Sequence, residues 1–131
     1  MVTSTQSFAF YLALNVLVFV VLAARVIVAR WQYKVGLGDG DQPELQRRIR
    51  AHGNAAEFMP MGLIVLGALA LMPVSVWWVH GLGATFTIGR VFHAIGLSKT
   101  GGVSIWRTLG MILSFSALAL GAGMALTYAL S

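Results

Sequence analysis

Read for the spacing of apolar and polar positions, the chain falls into four apolar blocks separated by short polar stretches. The first runs from Phe8 to Ala24 without a charge and continues through Arg25 towards Ala29. The second runs from Phe58 to Leu71, with Glu57 at its mouth, and the third from Val74 to Gly89, extending to Ile95. The fourth, Thr108 to Leu130, carries no charge at all. A helix needs about 20 mostly apolar residues to cross the hydrocarbon core of a bilayer. Each block therefore predicts a membrane-spanning helix, and together they use most of the chain. The expectation is an all-α integral membrane four-helix bundle, organised as one domain over residues 1–131.

The second helix is expected to begin well before its apolar block. After the turn Gly36-Leu37-Gly38-Asp39-Gly40 come Asp41, Gln42, Pro43 and Glu44. Asp41 suits a helix cap, Pro43 a first turn, and Glu44 completes a capping-box-like pattern. From there to Leu71 only Gly53 and Pro60 oppose continuous helix. A helix of about 28 residues is on the order of 40 Å long, more than the hydrocarbon core. Its first turns, with Arg47, Arg48 and Arg50, should stand outside the membrane, and Pro60 should bend it by freeing the Ala56 carbonyl.

Composition supports the membrane assignment. Hydrophobic residues are 58% of the 131 and charged residues 10%, with a mean hydropathy of +0.82. Soluble domains carry about 25% charged residues, and disorder needs the opposite balance of charge and hydrophobicity. With no cysteine there is no disulfide framework, thiolate metal site or cysteine nucleophile, and no metal site is expected. The net charge of +5 lacks the broad solvated basic face that nucleic acid would need, so no nucleic-acid partner is expected.

Charge placement gives the orientation. All nine Lys and Arg flank the first and third connections, and none lies in either tail or in the Met72–Val74 turn. The positive-inside bias then makes loops 31–54 and 96–104 cytoplasmic and both termini external. Trp31 and Trp106 fall at one membrane boundary and Trp77 and Trp78 at the other, as interfacial belts require. Residues 1–10 have no basic segment and no small-residue cleavage site follows Phe8–Val21, so a cleaved signal peptide is not expected.

Candidate chemistry gathers at the cytoplasmic mouth. Arg50, Asn54 and Glu57 follow at i, i+4 and i+7 and share one stripe of the second helix, with Arg47 a turn earlier. Charges at a span centre cost about 2–3 kcal/mol each and less near the interface, so such groups face protein or a watery cavity. Bridging neighbouring helices is the plainer role for them. Arg90 and His93 share a face of the third helix, and Arg107 follows Ser104, a candidate cap, at the start of the fourth. There an Arg adds to the positive end of the helix dipole and favours a bound anion, or simply snorkels to the interface. His80, at the far end, is expected to be interfacial. No HExxH, GxSxG, Walker or Rossmann pattern occurs. Several guanidiniums, one amide and one carboxylate suit a small, mainly anionic ligand that also bears an ammonium group, glutathione being one example.

Residues 50–60, Arg-Ala-His-Gly-Asn-Ala-Ala-Glu-Phe-Met-Pro, resemble the R-x-x-x-N-x-x-E-x-x-P signature of the MAPEG superfamily, the membrane-associated proteins in eicosanoid and glutathione metabolism. The block Gly89-Arg90-Val91-Phe92-His93-Ala94-Ile95-Gly96 and Arg107 resemble its other conserved segments, so the likeness spans nearly the whole chain. The resemblance implies a homotrimer of four-helix subunits in a bacterial inner membrane. Glutathione would bind as cosubstrate at the cytoplasmic side between subunits, on Arg50, Asn54 and Glu57, supported by Arg90 and His93, with Arg30 a further contact. It implies that Arg107 is the catalytic residue, stabilising the thiolate for attack on a lipophilic electrophile, as in conjugation or peroxide reduction. Eicosanoid-forming members have tyrosines where this chain has Phe58 and, as aligned, His93 and Leu97. Two other function classes fit the residues alone: a catalytically silent membrane scaffold, and a small proton-coupled transporter using Glu57. Overlapping small-xxx-small rows on the fourth helix, Ala117, Gly121, Ala125 and Ala119, Gly123, are further expected to favour oligomerisation.

Overall fold

A computed structural model describes residues 2–131 as four α-helices in chain order: α1 (Ser4–Tyr33), α2 (Pro43–Ala70), α3 (Val76–Lys99) and α4 (Ile105–Ala129). Among the described residues there is no strand. α2 and α3 form the centre, and α1 and α4 lie on opposite flanks without packing on each other.

Beside an apolar core, the exterior is apolar too, unlike that of a water-soluble protein. Leu17, Val20, Val21, Ile64 and Leu126 are exposed, while Ser7, Asn15, Thr87, Arg90, His93 and Ser114 are buried. Only a hydrocarbon surrounding makes such an exterior favourable. All four tryptophans are exposed near helix ends, as the belts predict. Three helices, α1, α2 and α4, are long and apolar enough to span a membrane. α3, expected to be a fourth such span, is long enough at 24 residues but falls below that apolarity. The packing explains this: α3 touches all three other helices, so protein rather than lipid covers much of it. It can carry Thr87, Arg90 and His93 in its buried face.

Local signals set the ends. Thr3 caps α1, its hydroxyl accepting from the Gln6 N–H at 3.1 Å while the Gln6 side chain accepts from the Thr3 N–H at 3.0 Å. This capping box adds about one turn, Ser4 to Ser7, ahead of Phe8. Asp41 does not cap α2. Its φ of 55° is left-handed, and the N-cap is Gln42, which makes no side-chain cap bond. The run Gly38, Gly40, Asp41 turns the chain through positive φ so sharply that Asp41 lies outside the helix, and Pro43 supplies the first turn. α4 begins after Ser104 as expected, but the hydroxyl makes no cap bond.

The closest helix approach is α3 on α4. A Cβ at Gly89 would lie 2.6 Å from Ser114 Oγ, one at Gly110 2.6 Å from the Gly89 carbonyl oxygen, and one at Gly96 2.7 Å from the Arg107 nitrogen. Glycine is required at this crossing because the two backbones occupy the space a side chain would take. The row Ala117, Gly121 works similarly inside the subunit: a Cβ at Gly121 would meet Val65, Leu69 and Leu82. The close packing expected of this row is met inside the subunit, where it seats α4 on α2 and α3, while Ala119 and Gly123 stay exposed.

Candidate functional site

At the basic end of the bundle, α2, α3, the α3–α4 loop and α4 enclose a cavity of about 270 Å³. Its walls are Gln46, Arg47, Arg50 and Asn54 from α2, His93 and Leu97 from α3, Gly101 from the loop and Arg107 from α4. The four positions 46, 47, 50 and 54 lie at helical spacing, so one face of α2 supplies them all. Arg107 reaches the cavity because the Gly96 contact sets the first turn of α4 directly against α3. No carboxylate lines the cavity, so three guanidiniums face it uncompensated. Among the described residues, Arg47 and Arg50 donate to no protein acceptor, while Arg107 Nη1 donates to the Gly102 carbonyl at 2.8 Å and the Gly101 carbonyl at 3.4 Å. Like charges held together in a confined space repel, and a multivalent anion relieves that repulsion with charge-assisted hydrogen bonds.

Arg90 supports this wall from behind. It is 2% exposed, yet no carboxylate pairs with it. Its Nε donates to Ser114 Oγ at 2.9 Å, Nη1 to Asn54 Oδ1 at 2.8 Å, and Nη2 to Met111 Sδ at 3.6 Å. The guanidinium also stands 5.0 Å from the Phe58 ring centroid and 5.9 Å from that of Phe86. Neutral acceptors and aromatic faces together solvate the buried charge. Phe58 thus uses its ring face on Arg90, and it packs edge-on against Phe115 at 5.5 Å. Because Arg90 occupies Asn54 Oδ1, the Asn54 amide NH₂ is left as the donor for the cavity.

A second, larger trough of about 830 Å³ opens beside the first along α4. His93, Gly101 and Arg107 border both. Beyond Arg107 its wall turns apolar, with Met111, Ile112 and Phe115. A polar, cationic chamber and an apolar channel therefore meet at Arg107 and His93.

Of the residues singled out in the sequence, Arg50, Asn54, His93 and Arg107 line one cavity, and Arg90 acts on it through Asn54. Glu57 and Arg30 do not line it. Glu57 is exposed on α2, about 10 Å further along the helix than Arg50. Arg30 is engaged in the first loop, its Nη1 donating to the Gly38 carbonyl at 2.9 Å. Arg47 and Gln46 complete the chamber, and the i, i+3, i+4 relation to Arg50 was the available signal for them.

At the opposite end a polar group forms that apolar patterning concealed. Ser7 Oγ donates to the Thr3 carbonyl at 2.9 Å and lies 2.9 Å from His80 Nε2, while Tyr11 OH lies 3.2 Å from His80 Nδ1. The single Ser7 hydroxyl proton is used on Thr3, so Nε2–H donates to Ser7 and Tyr11 OH donates to Nδ1. His80, expected at the interface, thereby ties α1 to α3. Polar residues at 7, 11 and 15 in an otherwise apolar helix were the signal for this seam.

Comparison with known proteins agrees with this architecture. The inner membrane protein YecN of Escherichia coli strain K12 is 34% identical over 112 residues, which cover 86% of this chain and 84% of that protein. The protein of the same name from Escherichia coli O6:H1 matches to the same extent. The profile of the MAPEG family matches residues 8–127, and on that span, with the likeness to YecN, the chain belongs to the MAPEG family of membrane proteins.

Proposed function

We propose that this protein is a glutathione-dependent transferase or peroxidase of the membrane. One observation carries the reading: Arg47, Arg50 and Arg107 share a small chamber with the Asn54 amide and no carboxylate, and that chamber adjoins an apolar trough. Glutathione bears two carboxylates for the guanidiniums and amides for Asn54. Arg107 lies at the start of α4, where its charge and the helix dipole both favour the thiolate over the thiol. The thiolate sulfur would attack an electrophilic carbon or a peroxide oxygen in a substrate lying along Met111 and Phe115. A new bond to sulfur forms as the leaving group departs with the bonding pair.

The ammonium of glutathione needs a carboxylate. Glu57 is exposed within a bilayer-crossing helix, a costly position for an acid unless another subunit covers it. Its place supports a homotrimer in which Glu57 of one subunit completes the neighbour's site, and an orientation with loops 31–54 and 96–104 in the cytoplasm. The name of the Escherichia coli relative supports an inner-membrane location. Calorimetry on the purified oligomer tests the reading. Glutathione should bind wild type, and Arg50→Ala should weaken it about tenfold or more, the loss of a charge-assisted pair. The ultraviolet thiolate band of bound glutathione should fall in Arg107→Ala. Absence of glutathione binding to wild type would leave the basic chamber a scaffold feature.

A further inference from the structure

Between α1 and α3 runs a groove of about 510 Å³. One stripe of each helix lines it: Leu14, Leu17, Val21 and Arg25 on α1, at i, i+3, i+7 and i+11, and Thr87, Val91 and Ile95 on α3. The Thr87 hydroxyl is already used in both directions, accepting from Asn15 Nδ2 at 2.8 Å and donating to the Gly83 carbonyl at 2.7 Å. Arg25, at one end of the groove, is the polar group left to act. Its Nη1 donates to Ser98 Oγ at 3.0 Å, and the Ser98 proton goes to the Ala94 carbonyl at 2.6 Å, so the guanidinium is held across the head of the groove. Among the described residues no carboxylate pairs with Arg25, and its Nε and Nη2 make no hydrogen bond. Glu44 is taken by Arg48 and Tyr33, while Arg48 Nη1 donates to the Arg25 carbonyl at 3.2 Å and brings a second positive charge close by.

Depth and length narrow the occupant. Ser98 lies in the last turn of α3, so the guanidinium bonded to it stands at the level where α3 leaves the membrane. From Leu14 to Arg25 the groove follows about 16 Å of helix, close to half of a hydrocarbon core about 30 Å thick. It thus has the length of one leaflet, which an acyl chain matches and a neighbouring membrane-spanning helix would overrun. α2, which carries Glu57, packs on both α1 and α3 and gives no residue to the groove, so the assembly proposed above leaves this side facing lipid. An uncompensated guanidinium pairs with phosphate oxygens through two parallel hydrogen bonds. A headgroup that also bears an ammonium would set that charge beside Arg25 and Arg48, whereas one of net negative charge relieves both.

We propose that this groove is a binding site for an anionic phospholipid of the leaflet at the basic end of the bundle, its phosphate on Arg25 and one acyl chain lying between α1 and α3. The site is separate from the basic chamber and stands if the glutathione reading fails. The test uses the delipidated full chain in detergent, titrated with phosphatidylglycerol or with phosphatidylcholine of the same acyl chains, and native mass spectrometry counts the lipids retained per subunit. The first phosphatidylglycerol should bind about fivefold more tightly than the first phosphatidylcholine, the usual worth of one basic residue at a lipid headgroup. Arg25→Gln keeps a donor for Ser98 and should make the two lipids equal. Lys34→Gln removes the same charge from an exposed position outside the groove and should leave the preference intact. Val21→Phe fills the groove from an exposed position, without touching Arg25, and should weaken both lipids. Glycerol phosphate at the same concentration should displace neither. A preference that survives Arg25→Gln, or that Lys34→Gln removes equally, would overturn the proposal, since the basic surface as a whole would then be its source. So would unchanged binding in Val21→Phe, displacement by glycerol phosphate, or no lipid retained by wild type, the result expected if a neighbouring subunit covers the groove.

Discussion

Adding one methyl group at Gly110 should separate α3 from α4. A Cβ there would lie 2.6 Å from the Gly89 carbonyl oxygen and 2.8 Å from His93 Cα. Both are backbone atoms of another helix and the His93 backbone nitrogen is nearer still, so no rotamer change makes room, and α4 must retreat about 1 Å to restore ordinary contact at 3.4 Å. Alanine gains about 1 kcal/mol of helix propensity over glycine, whereas overpacking costs about 1–3 kcal/mol. The retreat also stretches the bond from Arg90 to Ser114, now 2.9 Å, beyond hydrogen-bonding range. Losing an acceptor for a buried charge adds about 1.5–3 kcal/mol. The net expectation for Gly110→Ala is a destabilisation of about 1.5–5 kcal/mol. The control is Gly123→Ala, where a Cβ meets nothing within 4 Å and helix propensity alone acts. Tryptophan fluorescence during titration with a denaturing detergent measures both. A Gly110→Ala protein as stable as Gly123→Ala would refute the close-approach argument. Arg107, one turn before Gly110, moves with the helix, so glutathione binding should weaken in the same variant.

Arg90→Met should fold with stability near wild type, since an apolar chain of similar length removes the buried charge and its solvation cost together; it should nonetheless bind glutathione about tenfold more weakly, because Asn54 loses the partner that orients it, and calorimetry beside thermal unfolding separates the two effects. Arg30→Ala should speed proteolysis of the loop between Lys34 and Gln42, where Arg30 holds the Gly38 carbonyl, and in the single-subunit geometry should leave ligand affinity within about twofold. Ser7→Ala removes the acceptor of His80 Nε2–H and should cost about 1 kcal/mol, seen as faster amide exchange in the first turns of α3.

The number, order and approximate limits of the helices were readable because a span announces itself by length and apolarity. The reading failed where several residues act together. Asp41 has a good capping side chain, but positive φ at Gly38, Gly40 and Asp41 itself takes it out of reach of α2. α3 is less apolar than a lone span requires, and only its central packing explains how it is accommodated. For the site, the spacing of Arg50 and Asn54 on one helix face translated directly into a shared wall. Arg107 and His93 join them through glycine contacts between helices, which are tertiary and leave no periodic trace. Arg30 was indistinguishable in sequence from the other basic residues; the loop carbonyl that captures it becomes visible only once the chain turns at Gly38. The Ala117–Gly121 row was legible as a close-packing surface but not as to which neighbour it meets.

Polar fasteners are unevenly shared among the helices. α1 is bonded to the rest of the bundle along its length, through His80, Thr87, Ser98 and Glu44. Among the described residues, α4 receives side-chain bonds from other helices only from Arg90, at Ser114 and Met111. It is otherwise held by the match of backbone to backbone at the glycine crossing, by the Gly121 seat and by the contact of Phe115 with Phe58, all of them dispersion contacts that weaken steeply within the first ångström of separation. The place of Arg107 in the cavity therefore rests on shape rather than on polar bonds, and a side chain added at the crossing would displace the guanidinium without touching it.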